Sequence, residues 1–362
     1  MKLMVTKVSV LFVQACKVLI CATVALNLSL SCLADECLPA NSTASTAVGK
    51  RCTEDPSCVI VGYTHMLEWK SPSPAGIVVV CIHGLGLCAR AYKPLAQELS
   101  ASGIDGFGVN VRGFGPDRDI PNRAKLNCIE TVADVRNLLV NIRKEHPDYK
   151  VFLIGESMGG ALAVRIAAGN NELVDGVICS APAWRLLKTR KTAIKGIFEL
   201  ILFSGSSPGP AGRGVMRQAT ADPKLIEHWR TDPSHKLRLS LLEATAFQSF
   251  ISKTDKFAKK LSTPVLIIQG LNDHLVSLES VAKIYRDIPA TNKTFLIDGQ
   301  GEHLVLEEGR ASPELVQKLV AWLKTGVHAQ SRTVGLEAIN DTALSAKEQQ
   351  RLTQLRELIR TD

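Results

Sequence analysis

The sequence contains no Cys-x-x-Cys pair, and none of its ten cysteines and eight histidines cluster at metal-ligand spacing. A metal centre is therefore not expected. No internal repeat is present, which sets aside solenoids and propellers. Charged residues are only 22% of the chain against 46% hydrophobic, too little charge and too much apolar surface for a disordered protein. The net charge of +8 favours anionic surfaces. No recognisable nucleic-acid-binding module accompanies it, so nucleic acid is not expected as a partner. At roughly 100–200 residues per domain, the chain has room for one large domain or two small ones.

Charge is also missing between Val18 and Leu33, behind Lys2, Lys7 and Lys17. A basic start, an apolar run and small residues near its end read as a secretory signal over residues 1–34. A span needs ~20 apolar residues, so a membrane anchor fits if the helix begins before Lys17. Either reading places the protein outside the cytoplasm or on a membrane. Residues 35–56 form a linker rich in Ser, Thr and Ala. Cys37, Cys52 and Cys58 lie close together there, and a disulfide among them is open in an exported chain. Cys81 and Cys179 sit in apolar runs and read as buried free thiols.

From residue 57 the chain alternates strand and helix. Val59–Trp69 reads as an early strand. Ile77–Ile82 is a β-branched run suited to a strand covered on both faces. Strands are expected at Gly106–Val111, Val151–Ile154, Val174–Cys179, Pro264–Gln269 and Lys293–Asp298. Helices are expected at Ala91–Ser100, Cys128–Lys144, Met158–Ala168, Leu278–Asp287 and Pro313–Lys324. Repeated βα units imply a mostly parallel sheet with helices on both faces, hence an α/β fold over residues 57–325. Residues 184–262 break the alternation without a clear strand and read as an insertion. Residues 326–362 read as a tail, polar at first and ending in a charged helix, Ser345–Ile359, with Leu352, Leu355 and Leu358 in a narrow stripe.

Gly155-Glu156-Ser157-Met158-Gly159-Gly160 matches G-x-S-x-G between an expected strand and an expected helix. A serine on that sharp turn needs small neighbours, which Gly155 and Gly159 supply. Its hydroxyl also needs a base, and the base needs an orienting carboxylate. His303 lies just after the last expected strand, in Gly299-Gln300-Gly301-Glu302-His303-Leu304. Asp273 follows Pro264–Gln269 past Gly270. Asp298 competes for the acid role, but it sits at a strand end only five residues from His303. His228 and His235, in the insertion, read as polar surface residues. The oxyanion needs two backbone N–H donors, assigned to Met158 and to Leu85 in Cys81-Ile82-His83-Gly84-Leu85-Gly86. His83 precedes the serine and reads as a residue that holds this loop with Gly84.

Together, the His83-Gly84 loop, the Arg112-Gly113-Phe114-Gly115 turn, Gly155–Gly160, Asp273 and His303 resemble the monoacylglycerol lipase and lysophospholipase branch of the α/β-hydrolases, the serine aminopeptidase S33-like group. The resemblance covers about Val59 to Leu323. It implies an α/β-hydrolase fold, an insertion that caps the site, and a single-chain lipid ester as substrate. Asn110 stands where the family often has Asp before the Arg-Gly-x-Gly turn. The insertion holds fifteen Lys or Arg against six Asp or Glu. Its apolar residues Ile194, Ile197, Phe198, Leu200 and Phe203 lie beside Lys188, Arg190, Lys191 and Lys195, a pattern suited to an anionic membrane surface. No metal or organic cofactor is called for, and the sequence carries no cue to oligomeric state. A short-chain carboxylesterase or a thioesterase is the nearest alternative. A lipid-binding homologue without activity is the alternative of another class.

Overall fold

The computed structural model describes residues 50–51, 58–61, 64–184, 216–236, 238–325 and 334–359, with backbone pairing alone for 50–65 and for 334. These lie in one unit, Val48–Asp362. The expected signal, the linker cysteines Cys37 and Cys52, and the basic apolar stretch from Lys188 to Phe203 fall outside the described residues. Among the described residues no helix is long and apolar enough to cross a membrane.

The described strands form one sheet: β1 Lys50–Arg51, β2 Cys58–Val61, β3 Thr64–Trp69, β4 Ile77–Ile82, β5 Ile104–Val109, β6 Lys150–Glu156, β7 Gly176–Ser180, β8 Val265–Gly270, β9 Lys293–Asp298 and β10 Val334–Ile339. Their order is β1-β2-β3-β5-β4-β6-β7-β8-β9-β10. From β5 to β10 every neighbour is parallel, and β1, β2 and β3 run antiparallel at one edge. Two expectations change here. The single early strand over Val59–Trp69 is two strands, paired as a hairpin from Cys58↔Leu67 to Val61↔Thr64. The stretch read as polar tail contributes β10, which pairs with β9 from Val334↔Lys293 to Ile339↔Asp298.

Alternation along the central strands builds two cores. Val78, Val80 and Ile82 of β4 face one side, and Ile77, Val79 and Cys81 face the other. The second side is covered by α1 Lys93–Ala101. The first side takes α2 Cys128–Glu145 and α3 Met158–Gly169. Asn127 caps α2, accepting a hydrogen bond from the Glu130 N–H. The insertion contains α4 Pro223–Thr231, α5 Leu241–Ile251 and α6 Thr254–Ala258, with no strand among the described residues. Asp222 caps α4, and a Ser240–Glu243 capping box starts α5. α7 Leu278–Asp287 and α8 Pro313–Thr325 complete the alternation. α9 Ala346–Ile359 buries Leu352, Leu355 and Ile359 in the first core.

Strand β4 lies between β5 and β6, so the sheet order reverses there. In such sheets the crevice beyond the strand C-termini at the reversal is where ligands bind. The loop after β4 and the turn after β6 both open onto it.

Candidate active site

Ser157 sits between β6 and α3 with φ 54° and ψ −111°. A non-glycine residue in that region costs about 1–3 kcal/mol, and the surroundings must hold it there. The N–H of Ser157 donates to Ser180 O at 2.8 Å, and its carbonyl accepts from Ala183 N at 2.9 Å. The glycines are needed for room. A Cβ on Gly159 would run into the Ile82 carbonyl, and one on Gly155 into the Gly159 carbonyl. The turn is thereby pressed against the end of β4, and a Cβ on Gly84 would stand 3.7 Å from Ser157 Cβ.

The loop after β4 is fixed from three sides. His83 Nδ1 donates to Gly84 O at 2.7 Å, and its Nε2 accepts from Val111 N at 3.0 Å. Burial pushes the His83 imidazole down to about 4, so it stays neutral and keeps this tautomer. Gly84 N–H is taken by the Glu307 carboxylate at 2.9 Å. Asn110 accepts from Ala89 N at 2.8 Å, so the amide at this position anchors the same loop. Among the described residues, the N–H groups of Leu85 and Met158 donate to no protein acceptor. Met158 opens α3, where the first N–H groups lack partners within the helix.

Asp273 and His303 meet. His303 Nδ1 lies 2.9 Å from Asp273 Oδ2, with both residues 4% exposed. Asp273 is itself oriented, accepting from Leu275 N at 2.7 Å, Val276 N at 2.9 Å and Gln269 Nε2 at 2.9 Å. The two loops touch, for a Cβ on Gly270 would collide with the Glu302 carbonyl, and Asn272 N donates to Gly301 O at 2.9 Å. Burial disfavours the protonated ring of His303, but the Asp273 carboxylate outweighs it and the net shift is upward. Asp298 is engaged elsewhere, by Gln300 N at 3.1 Å and Asn340 Nδ2 at 3.0 Å.

Ser157 and His303 are not joined by a hydrogen bond in this structure. Their segments are held together through Glu156, which the sequence reading passed over. Its buried carboxylate accepts from Val305 N at 2.9 Å, Leu306 N at 3.2 Å, Glu307 N at 3.0 Å and Ser180 Oγ at 2.6 Å. It thus ties the residue beside Ser157 to the segment just past His303. The sequence does hold a signal for it, a carboxylate between a buried strand and the apolar helix Met158–Gly169. Glu307 and Glu156 are both fully buried, and burial pushes both above their usual range.

The family model described as "Serine aminopeptidase, S33" matches residues 72–310. The chain belongs to this family. Among its relatives, the monoglyceride lipase homolog of monkeypox virus is 22% identical over 265 residues, 72% of this chain and 94% of that protein. Human monoglyceride lipase is 22% identical over 278 residues, 75% of this chain and 89% of that protein. The crystal structure of Paleococcus ferrophilus monoacylglycerol lipase matches with a TM-score of 0.58 at 21% identity, over 73% of this chain and 99% of that one. At that identity the structural match establishes the α/β-hydrolase fold. The S33 assignment and its lipase relatives make the protein a hydrolase of lipase type.

The described part of the insertion is fastened to the loop after β4 and to the start of α2 by polar contacts. Lys236 N donates to Gly86 O at 2.9 Å, and Lys236 Nζ meets Glu243 Oε1 at 2.6 Å. Glu243 also accepts from Leu126 N at 2.8 Å. Burial opposes its charge, but Lys236 and these N–H groups hold it down to about 2. Cys81 and Cys179 are free and buried, as their apolar runs imply.

Proposed function

We propose that the protein is a serine carboxylic ester hydrolase that cleaves single-chain lipid esters, monoacylglycerols or lysophospholipids, through an acyl-enzyme. The observation that carries this is the buried Asp273–His303 contact at 2.9 Å, taken with a serine held at φ 54° on the strand-to-helix turn. His303 takes the proton of Ser157 as its oxygen bonds to the ester carbonyl carbon. The Leu85 and Met158 N–H groups receive the oxyanion. His303 then gives that proton to the leaving alcohol, and the ester C–O bond breaks. Water, deprotonated by His303, releases the fatty acid and restores the serine. None of these steps asks for a metal or organic cofactor.

The substrate class rests on the relatives, which are named as monoglyceride lipases. The lipid end of the reading is also supported by the basic insertion and by Leu241 and Leu242, which are 55% and 72% exposed at the start of α5. We extend it to an anionic membrane surface that the cap faces. The uncharged run from Val18 to Leu33 supports a place outside the cytoplasm or on a membrane.

The test is a hydrolysis screen of p-nitrophenyl esters from acetate to palmitate, with monoacylglycerol and lysophospholipid alongside. Ser157→Ala should lose about 10⁴-fold or more in turnover and all labelling by a fluorophosphonate. Unchanged rates in the variant would remove the serine assignment. Activity on acetate or thioesters alone would favour the short-chain esterase or thioesterase. An unlabelled, inactive wild type would favour a lipid-binding homologue.

A further inference from the structure

A second cluster of ligand-type side chains lies on the other side of the loop that follows β4. His228 is on the last turn of α4, Asp232 caps its C-terminus, and His235 follows three residues later. One side-chain ligand atom from each of the three lies within 4.8 Å of the others. Glu308 reaches in from the segment after His303. His228 Nε2 stands 3.6 Å from Glu308 Oε2 and 3.8 Å from Asp232 Oδ2.

We propose that His228, Asp232 and His235 form a site for a divalent cation of the zinc class, with Glu308, 3.6 Å from His228, closing in as the fourth, tetrahedral ligand, so that the ion clamps the insertion to the segment that carries His303. The spacing favours it. Ligand bonds of ~2.0–2.2 Å at tetrahedral angles put neighbouring ligand atoms roughly 3.3–3.6 Å apart. The His228–Glu308 pair is already at 3.6 Å and the His228–Asp232 pair at 3.8 Å, while the contacts of His235, within 4.8 Å, have up to about 1.5 Å to close. Two imidazoles with two carboxylates suit zinc better than calcium, which takes oxygen throughout.

Three further observations point to a ligand. The Nδ1 of His235 is buried without a hydrogen-bond partner, an arrangement that costs free energy until something meets it. Asp232 is braced through one oxygen. Its Oδ1 accepts from Ser234 N at 2.7 Å and Ser234 Oγ at 2.6 Å, which turns Oδ2 toward His228. Such outer hydrogen bonds are how proteins orient metal ligands. Glu308 is held at φ 55°, with its N–H donating to Ala91 O at 2.8 Å, so its carboxylate is directed by a strained backbone.

A cavity of about 600 Å³ opens beside the cluster and gives an ion and its water a way in. Its wall also carries Arg90, Lys93 and Lys224. Arg90 lies 3.4 Å from both oxygens of Asp232 and 2.6 Å from Ser234 Oγ. The ion therefore competes with nearby positive charge, and Arg90 gives up its contact with Asp232 when it binds. His228 and His235 alone look like polar surface residues of the insertion, and Glu308, 73 positions beyond His235, joins them only through the fold.

The test uses the full chain without an affinity tag, stripped with a chelator and titrated with Zn²⁺ by calorimetry and with Co²⁺ by visible absorption. Wild type should bind one equivalent, show the intense band of tetrahedral Co(II), and unfold at a higher temperature with metal. His228→Ala and Glu308→Gln should each bind at least about tenfold more weakly and lose the tetrahedral band. The His228 side chain is half exposed, so its variant should keep the metal-free melting temperature. Equal binding by wild type and His228→Ala would overturn the proposal, since the metal would then sit on cysteines or on His303. A weak octahedral spectrum in wild type would overturn it too.

Discussion

In the proposed mechanism a protonated His303 cannot accept the serine proton, so the direction of its shift sets the acid limb of the pH profile. Burial pushes the ring down, the Asp273 carboxylate pushes it up, and the net is upward. We expect kcat/KM to fall with decreasing pH through a value above the ordinary histidine range of about 6.5. In Asp273→Asn that limb should move down, and kcat should drop about 10⁴-fold. A limb that stays in place would mean that Asp273 does not face the working base. The same shift acts on stability. A raised histidine contributes fully below the unfolded value, and the contribution is lost as pH rises through the folded one. Glu156 gives a second test at this scale. Glu156→Gln turns an amide toward the backbone N–H groups of residues 305–307, and donors then meet donors. We expect a loss of about 1–3 kcal/mol in stability and a fall in kcat larger than any rise in KM. A full-rate variant would show that the His303 segment does not depend on this tie. Ser157, Asp273 and His303 could be picked out as candidates because each sits next to a short motif or a strand end, and the structure brings Asp273 and His303 into contact. Glu156 was visible only as a letter in the motif, since its acceptor role depends on donors 149 to 151 positions away.

At the scale of elements, the parallel strands could be read from their β-branched runs to within about two residues. The failures came where tertiary pairing decides. Val334–Ile339 carries Gly335 and Glu337 and lies beyond an apparent domain end, so nothing local marks it as a strand. It becomes one because β9 offers it a full parallel edge. The terminal helix was legible from its stripe, but not its depth. Leu355 is 1% exposed and packs in the same core as Leu139 and Val281. Leu355→Ala should therefore cost about 2–5 kcal/mol, read as a lower midpoint in chemical denaturation. A detached appendage would lose nothing. α5 gives a milder case. Glu243→Gln removes the carboxylate that receives Lys236 and the Leu126 N–H. Because its folded value lies near 2, below the ordinary carboxylate range, its contribution is present at neutral pH. That contribution disappears as pH falls through the folded value. The variant should accordingly be less stable than wild type at neutral pH and approach it in strong acid.

For the whole molecule, the strand order at β4 sets the loop at residue 84 beside the turn at residue 157, and the Glu156 contacts draw in the segment after residue 303. No local pattern encodes that meeting. It follows from the βα repetition and the handedness of its crossovers. Charge is organised at the same scale. The insertion's excess of fifteen basic over six acidic residues accounts for the positive balance of the entire chain. A cap of that charge with Leu241 and Leu242 exposed should draw the enzyme to anionic bilayers and leave neutral ones largely alone. Attraction between surface charges fades when the Debye length shrinks from about 10 Å at 0.1 M salt to about 3 Å at 1 M. Cosedimentation with phosphatidylglycerol vesicles should then fall steeply over that range, while phosphatidylcholine vesicles bind weakly throughout. Leu241→Ser with Leu242→Ser should lower the salt-resistant remainder, because those side chains bury apolar area rather than neutralise charge. Binding that ignores both salt and head group would place the contact with lipid elsewhere on the protein.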